Sequence, residues 1–278
     1  MTPAPLLGSV ALCAFILPLV WKWQLGMRRV ASGLAVLALL SWLLAAVIDA
    51  AVGVSTSMQA GLGGSITALG AVSLLAYRFY RDPEREPPAG DHLVVSPADG
   101  QIVYVRRSRA GRLPVTTKHG RDMPLEELTR VKVLDGEAVI VGIGMSLLDV
   151  HVNRAPVAGT VSLHRHFAGS FGSLRRPEMV FANERATTVI DGRRTQIAVV
   201  QIASRLVRKI VTQVHEGQAL EAGQRIGVIR FGSQVDVVLR SHPNVRILVN
   251  PGDRVQAGTS VIAVVGADHQ PPRAQGGR

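Results

Sequence analysis

Hydrophobic and polar residues follow two regimes along the 278-residue chain. Up to Tyr77 the sequence is apolar almost without interruption, and Lys22, Arg28, Arg29 and Asp49 carry its only formal charges. An uncharged, mostly apolar run extends from Pro5 to Trp21, and from Val30 to Tyr77 the single charge is Asp49. A bilayer is crossed by about 20 apolar residues, so the second stretch holds two helices, predicted near Ala31–Ile48 and Ser57–Tyr77 with a turn around Asp49–Ser55. The last of these carries Gly61, Gly63, Gly64 and Gly70, which suits close helix packing in a membrane but weakens its helix signal. Residues 1–77 are therefore read as a transmembrane anchor of two or three helices. A cleaved leader fits less well, because no basic segment precedes the first run and more hydrophobic sequence follows it.

After Arg78 the pattern changes to short Val/Ile-rich runs between Gly, Pro and Asp turns. Strands are predicted over Gln101–Arg106, Ala138–Met145, Thr195–Ala203, Leu206–Val214, Arg225–Phe231, Val235–Leu239, Val245–Val249 and Ser260–Val265, with no long 3.6-residue period competing. Val214-His-Glu-Gly217 followed by Ala222-Gly223 repeats 35 residues later as Val249-Asn-Pro-Gly252 followed by Ala257-Gly258. The fold class is accordingly mainly β, and the repeat resembles the barrel-sandwich or hammerhead-like domains of biotinyl and lipoyl carriers. A carrier displays a lysine at a hairpin tip, and none is found there. The β-rich domain is placed at 78–268 and a disordered Pro/Gly/Gln/Arg-rich tail at 269–278.

Composition narrows the function. Apolar residues make up 47% and charged residues 18%, which excludes a disordered chain, and a single cysteine, Cys13, excludes an intrachain disulfide. The net charge is +11. Aromatic residues are only 4% and do not interleave with basic ones, so nucleic acid is not an expected partner; beside a membrane anchor, anionic lipid headgroups are the better one. Lys22, Arg28 and Arg29 separate the first two spans, and Arg78 and Arg81 follow the third. The positive-inside rule then places the N-terminus outside and residues 78–278 in the cytoplasm.

Four segments carry candidate chemistry. Phe79-Tyr80-Arg81-Asp82-Pro83-Glu84-Arg85 follows the last span and reads by default as a snorkelling basic belt. Ser96-Pro97-Ala98-Asp99-Gly100 is a turn signal. Asp149-Val-His151-Val-Asn153-Arg154-Ala-Pro156 holds a lone histidine between a carboxylate and a guanidinium. Arg230-Phe231-Gly232-Ser233-Gln234-Val-Asp236-Val places a Gly-Ser pair between two strands. Each alone has a bland reading. In this order, with Asn183-Glu184-Arg185 between the last two, they resemble the phosphatidylserine decarboxylase proenzymes from about Phe79 to Val265. The likeness is to the short bacterial type, which has Gly-Ser where others have Leu-Gly-Ser-Thr.

That resemblance implies a carboxy-lyase acting on phosphatidylserine in the membrane to give phosphatidylethanolamine and carbon dioxide, at the inner membrane of a bacterium. It implies a pyruvoyl group derived from Ser233 as the electron sink, without metal or pyridoxal phosphate. The Ser233 hydroxyl would attack the Gly232 carbonyl, and ester elimination and hydrolysis would leave chains 1–232 and 233–278. His151 is the candidate base, with Asp99 orienting and polarising it. Some family members carry two histidines three residues apart, where this chain has His151 and Arg154. Arg154 then either holds a substrate carboxylate or phosphate or makes a structural ion pair, and His164 and His166 are weaker base candidates. A related serine-bearing phospholipid as substrate and a homo-oligomeric state both stay open. Two rival readings are a membrane-anchored adaptor and a serine hydrolase; the latter lacks a Gly-x-Ser-x-Gly elbow.

Overall fold

The computed structural model describes residues 3–22, 27–108, 112–113, 123–133, 136–174, 176, 178–204, 210–229 and 233–266. The expected tail at 269–278 and residue Gly232 lie outside them. The chain divides into two compact units, Met1–Arg81 and Asp82–Arg278.

The first unit is three helices, α1 (Ala4–Lys22), α2 (Met27–Val52) and α3 (Thr56–Tyr80). Asp49 accepts a hydrogen bond from the Val54 amide and the Ser55 hydroxyl accepts one from Met58 at the start of α3, so polar residues close the turn between two apolar runs. The helices meet on small and hydroxylated residues. Ser9, Ser41 and Thr67, all fully buried, lie with hydroxyl oxygens 2.9–3.1 Å apart. A Cβ at Gly63 would lie 2.2 Å from the Pro5 carbonyl oxygen, and one at Gly8 2.0 Å from that of Ala60. Large apolar side chains such as Phe15, Val36, Leu39, Leu69 and Val72 point outward. Val30–Val52 and Thr56–Tyr80 are long and apolar enough to cross a membrane, whereas the apolar part of α1, Ala4–Pro18, is shorter.

The second unit is mainly β. Its elements are β1 (Leu93–Val95), β2 (Gly100–Arg107), β3 (Arg112–Leu113), β4 (Met123–Pro124), α4 (Leu125–Thr129), β5 (Ala138–Met145), β6 (Val152–Arg154), β7 (Gly159–Phe167) and α5 (Met179–Ala182). There follow β8 (Arg185–Gly192), β9 (Gln196–Ile202), β10 (Ile210–Thr212), β11 (Ala219–Leu220), β12 (Arg225–Ile229), β13 (Ser233–Arg240), β14 (Val245–Ile247), β15 (Arg254–Val255) and β16 (Val261–Val265). An eight-stranded antiparallel sheet runs β11-β7-β8-β9-β13-β5-β2-β15, flanked by the three-stranded sheets β1-β16-β14 and β10-β12-β6. The strands expected from Val/Ile runs are present within a few residues where the residues are described; 206–209 of the run Leu206–Val214 and 230–231 of the run Arg225–Phe231 lie outside the described residues. Those not expected are β1, β3, β4, β6, β7, β8, β11 and β15; of these, β7 and β8 are polar in sequence because Thr, His and Arg interrupt them.

The 35-residue repeat is a structural one. Gly223 and Gly258 turn the chain with φ of +76° and +77°, a conformation that suits glycine, and β11 and β15 lie 35 positions apart at opposite edges of the large sheet. A second correspondence, 59 residues apart, joins Ser96-Pro97 to Ala155-Pro156. The two copies exchange bonds reciprocally: Val95 N donates to Pro156 O (2.9 Å) and Arg154 N to Pro97 O (2.8 Å). Each copy also grips its own repeat unit, Ile102 with Gly252 and Asp253, and Val161 with Gly217 and Gln218. Two like halves thus flank the centre of the sheet, where β13 runs between β5 and β9.

Alternation along β13 separates two faces. Val235, Val237 and Leu239 enter the larger core with Ile102, Val141 and Ile143. Val238 enters a smaller core under α4 and α5 with Leu128, Phe181 and Val200. Asp236, on the second face, is wholly buried and accepts bonds from the Tyr104 hydroxyl (2.6 Å) and the Gln234 amide (2.7 Å). Burial raises its carboxyl from the ordinary 3.8 to about 6, against the pull of those bonds and of the Arg106 and Arg185 charges.

Two outcomes follow from the packing. Gly63→Leu forces α1 from α3 and costs about 1–3 kcal/mol through overpacking, read as a lower thermal midpoint in detergent. Gly61→Leu, where a Cβ meets nothing within 4 Å, leaves the midpoint in place. Asp236 binds its proton more tightly in the folded chain than in the unfolded one. Its contribution to stability is therefore complete below about pH 4 and is lost as pH rises through about 6, a change of roughly 2–3 kcal/mol. Urea unfolding midpoints across that window decline with pH in the native chain, and Asp236→Asn removes this part of the decline.

Candidate functional site

Ser233 is the first residue of β13 and is 4% exposed. It pairs with Met145 on β5, and its hydroxyl donates to the Met145 sulfur at 3.2 Å. The same sulfur lies 3.9 Å from the Asn153 amide nitrogen, and the Asn153 carbonyl oxygen accepts from the Gln201 amide at 2.8 Å. Asn153 and Gln201 are both fully buried. The surroundings of the serine are therefore dry and contain a short polar chain, Gln201 to Asn153 to Met145.

His151 leads into β6, two residues before Asn153. It is 1% exposed, and its carbonyl accepts from the amide of Ile229 at the end of β12 (3.2 Å). The backbone of His151 is thereby fixed to the segment that leads to Ser233. Burial lowers the imidazole pKa from 6.5, while the Asp149 backbone and the charges of Asp149 and Asp99 act in the opposite direction. The neutral ring, which can accept a proton, is the favoured form at pH 7.

Asp99 stands just before β2. Gly100 follows with φ of +154°, and a Cβ there would meet the Gly144 carbonyl at 2.3 Å; the chain comes this close only with glycine. The described partners of the Asp99 carboxylate are the Arg85 guanidinium, bidentate at 2.5 and 2.9 Å, and the Ala257 amide at 2.8 Å. The charge of Asp99 favours a higher His151 pKa, as the smallest of the influences on that ring, and both partners of the Arg85–Asp99 pair are about nine-tenths buried.

Arg154 is 3% exposed, and its terminal nitrogens donate to Gly223 O, Asp82 and Pro83 O at 2.9–3.1 Å. Arg225 binds the other oxygen of Asp82 at 2.5 Å and Glu84 at 2.6 Å. Asp82–Arg85 is thus a strap on the β unit: Asp82 joins the strand of His151, and Arg85 joins Asp99. The default expectation of a snorkelling belt does not describe these residues. His164 and His166 sit on β7, three strands from β13, bound to Thr188 (3.0 Å) and Glu184 (2.9 Å), and are not brought to Ser233. In Asn183-Glu184-Arg185, the Arg185 guanidinium is buried and donates to the carbonyls of Glu127, Leu128 and Asn183, a structural role. Its desolvation lowers its pKa to about 10.

Sequence reading assigned no role to Arg85, Met145, Asn153 or Gln201. Arg85 and Asn153 lie inside quoted motifs. Gln201 is a lone amide in the apolar run Ile197-Ala-Val-Val-Gln-Ile202, which is a usable signal. Met145 emerges only from the register of β5 against β13.

Comparison with known proteins identifies the family. Residues 72–263 match the family model described as phosphatidylserine decarboxylase. A phosphatidylserine decarboxylase proenzyme of Symbiobacterium thermophilum is 41% identical over 201 residues, 70% of this chain and 83% of that protein. A protein of Methanothermobacter thermautotrophicus, provisionally named an archaetidylserine decarboxylase proenzyme, is 39% identical over 186 residues, 67% of this chain and 78% of its own. A phosphatidylserine decarboxylase proenzyme of Pelobacter propionicus is 36% identical over 224 residues, 78% and 91% respectively. The matched span contains Asp99, His151 and Ser233 in a strand-to-strand frame that buries all three, and the chain belongs to the phosphatidylserine decarboxylase family.

Proposed function

We propose that this chain is a proenzyme that cuts itself between Gly232 and Ser233 and then decarboxylates phosphatidylserine to phosphatidylethanolamine. The observation that carries the reading is the buried Ser233 at the start of a strand paired on both sides, in a chain of this family. The Ser233 hydroxyl attacks the Gly232 carbonyl carbon and the peptide bond to the Ser233 nitrogen breaks, giving an ester and a free amine. Loss of the Ser233 α-proton expels the Gly232 carboxylate. The unsaturated residue left behind takes up water and loses ammonia, so that chain 233–278 begins with a pyruvoyl group. His151 is the base for the hydroxyl proton, and Asp99 favours its protonated form through charge.

The residues present fit such a group. Ser233 sits in a dry, ladder-held position, and a chain end made there stays paired with β5 and β9. When formed, the group supplies the electron sink that loss of carbon dioxide from a serine headgroup requires. Asn153, held by Gln201, offers an amide beside that position, and His151 holds a proton at its ring for return to the product carbon. Arg154 acts through the strap, fixing Asp82 and Pro83 against the strand of His151.

The repeated units support a barrel-sandwich reading of the β domain. Lys22 at the end of α1, Arg28 and Arg29 at the start of α2, and Arg78 and Arg81 at the end of α3 support a cytoplasmic β domain at the inner membrane of a bacterium. The shared headgroup chemistry leaves a serine phospholipid on an archaeol backbone as the second substrate to test.

The direct test is incubation of the purified chain with phosphatidylserine or archaetidylserine micelles. Phosphatidylethanolamine and carbon dioxide form from the first, and Ser233→Ala abolishes both products; conversion of the archaeol lipid alone reassigns the substrate. His151→Ala slows cleavage about 10²-fold or more, the usual share of a general base. Because burial lowers the His151 pKa, the neutral ring persists below pH 6.5. The rate at which the small chain forms after in vitro synthesis, read under denaturing conditions, therefore stays level from about pH 8 to 6.5 and falls only at lower pH.

A further inference from the structure

The face of β13 opposite Ser233 carries a polar lock that the chemistry above does not use. Tyr104 on β2, Gly142 on β5 and Asp236 on β13 stand in register across three adjacent strands. The tyrosine ring occupies the space over Gly142: a Cβ there would lie 2.5 Å from the ring's Cζ. Its hydroxyl thus reaches past β5 to donate to Asp236 at 2.6 Å, and it accepts from the Gln234 amide at 2.7 Å. Gln234 also donates to the second oxygen of Asp236 at 2.7 Å. Arg106 covers the ring at 4.3 Å, and the Arg106 and Arg185 charges act on the carboxylate. Each polar group in this triangle is satisfied by another, and Asp236 is fully buried.

A sheet interior gives no need for such a cluster; an apolar trio would pack there without desolvation cost. Its position in the chain supplies the need. A cut before Ser233 makes Gln234 and Asp236 the second and fourth residues of the small chain. The first residues of a free strand end fray, and the reacting group would sit on the first of them. Resting on the self-cleavage reading, we propose that Tyr104, Gln234 and Asp236 are positioning residues that hold the new chain end in register, so that the group at position 233 keeps its place in the mature enzyme. The lock spans β2, β5 and β13, two strands of the large chain and one of the small.

The test uses the full-length chain in detergent, as native protein, Tyr104→Phe and Gln234→Met, each also in the Ser233→Ala background. Tyr104→Phe keeps the ring over Gly142 and deletes only the hydroxyl. Cleavage proceeds to the native extent, while kcat per cleaved chain falls about tenfold with KM within about twofold, a loss of placement rather than of binding. Hydrogen exchange of 233–240 quickens in the cleaved variant and not in its uncleaved Ser233→Ala counterpart. Native kcat per cleaved chain in both variants overturns the proposal, as does equal quickening in cleaved and uncleaved forms, which marks a general fold contact. If Tyr104→Phe does not fold, Gln234→Met decides by the same readouts. A native chain that is never cut overturns the self-cleavage reading instead, and that result is distinct from any of these.

Discussion

The pairing of β13 on both sides is the constraint on which the molecule depends. All eight residues from Ser233 to Arg240 pair with β5, and Gln234 to Leu239 also pair with β9. A strand so held keeps most of its ladder whether or not it is joined to what precedes it, and only its first residues need a further hold. Chemistry that cuts the backbone at its first residue is compatible with a stable product only in such a place, because a cut at an edge strand would leave few bonds to retain the end. The two like halves, with β15 at one edge of the sheet and β11 at the other, put β13 near the centre rather than at an edge.

Around that strand, charges are arranged through the chain's own linker. Asp82–Arg85, which begins the β unit, spends its carboxylates and guanidinium on Arg154, Arg225 and Asp99. A buried pair such as Arg85–Asp99 contributes little net stability, but removing one partner is costly because the other stays charged and buried. The strap therefore acts to specify geometry: it fixes the orientation of Asp99 and, through Arg154, the strand that His151 leads into.

Much of this was legible in the sequence, for identifiable reasons. The apolar helices follow from uncharged runs, and β5, β9 and β12–β13 from β-branched runs between glycine turns. The 35-residue repeat was visible because its glycines sit at turns that require them. The 59-residue correspondence was not, because only scattered identities survive, His92/His151, Pro97/Pro156, Gly100/Gly159 and Arg106/Arg165, and the rest is backbone bonding. β7 and β8 escaped because histidines, arginines and threonines occupy them, although β8 is almost wholly buried. For the site, motif residues pointed to Asp99, His151 and Ser233. The partners of Asp99 and Arg154 could not be read, since they lie up to 158 positions away in the chain. Nothing in the sequence marks Asp236, a single carboxylate between two valines, as buried; its burial depends on α4 and α5 covering that face.

The function proposed for this chain requires that the backbone be cut where β13 begins. Intact mass under denaturing conditions reads this directly on the purified chain. Two species are expected, residues 1–232 and 233–278, the smaller blocked at its first residue and resistant to Edman degradation, and one uncut species for Ser233→Ala. A single full-length mass from folded native protein would contradict that function.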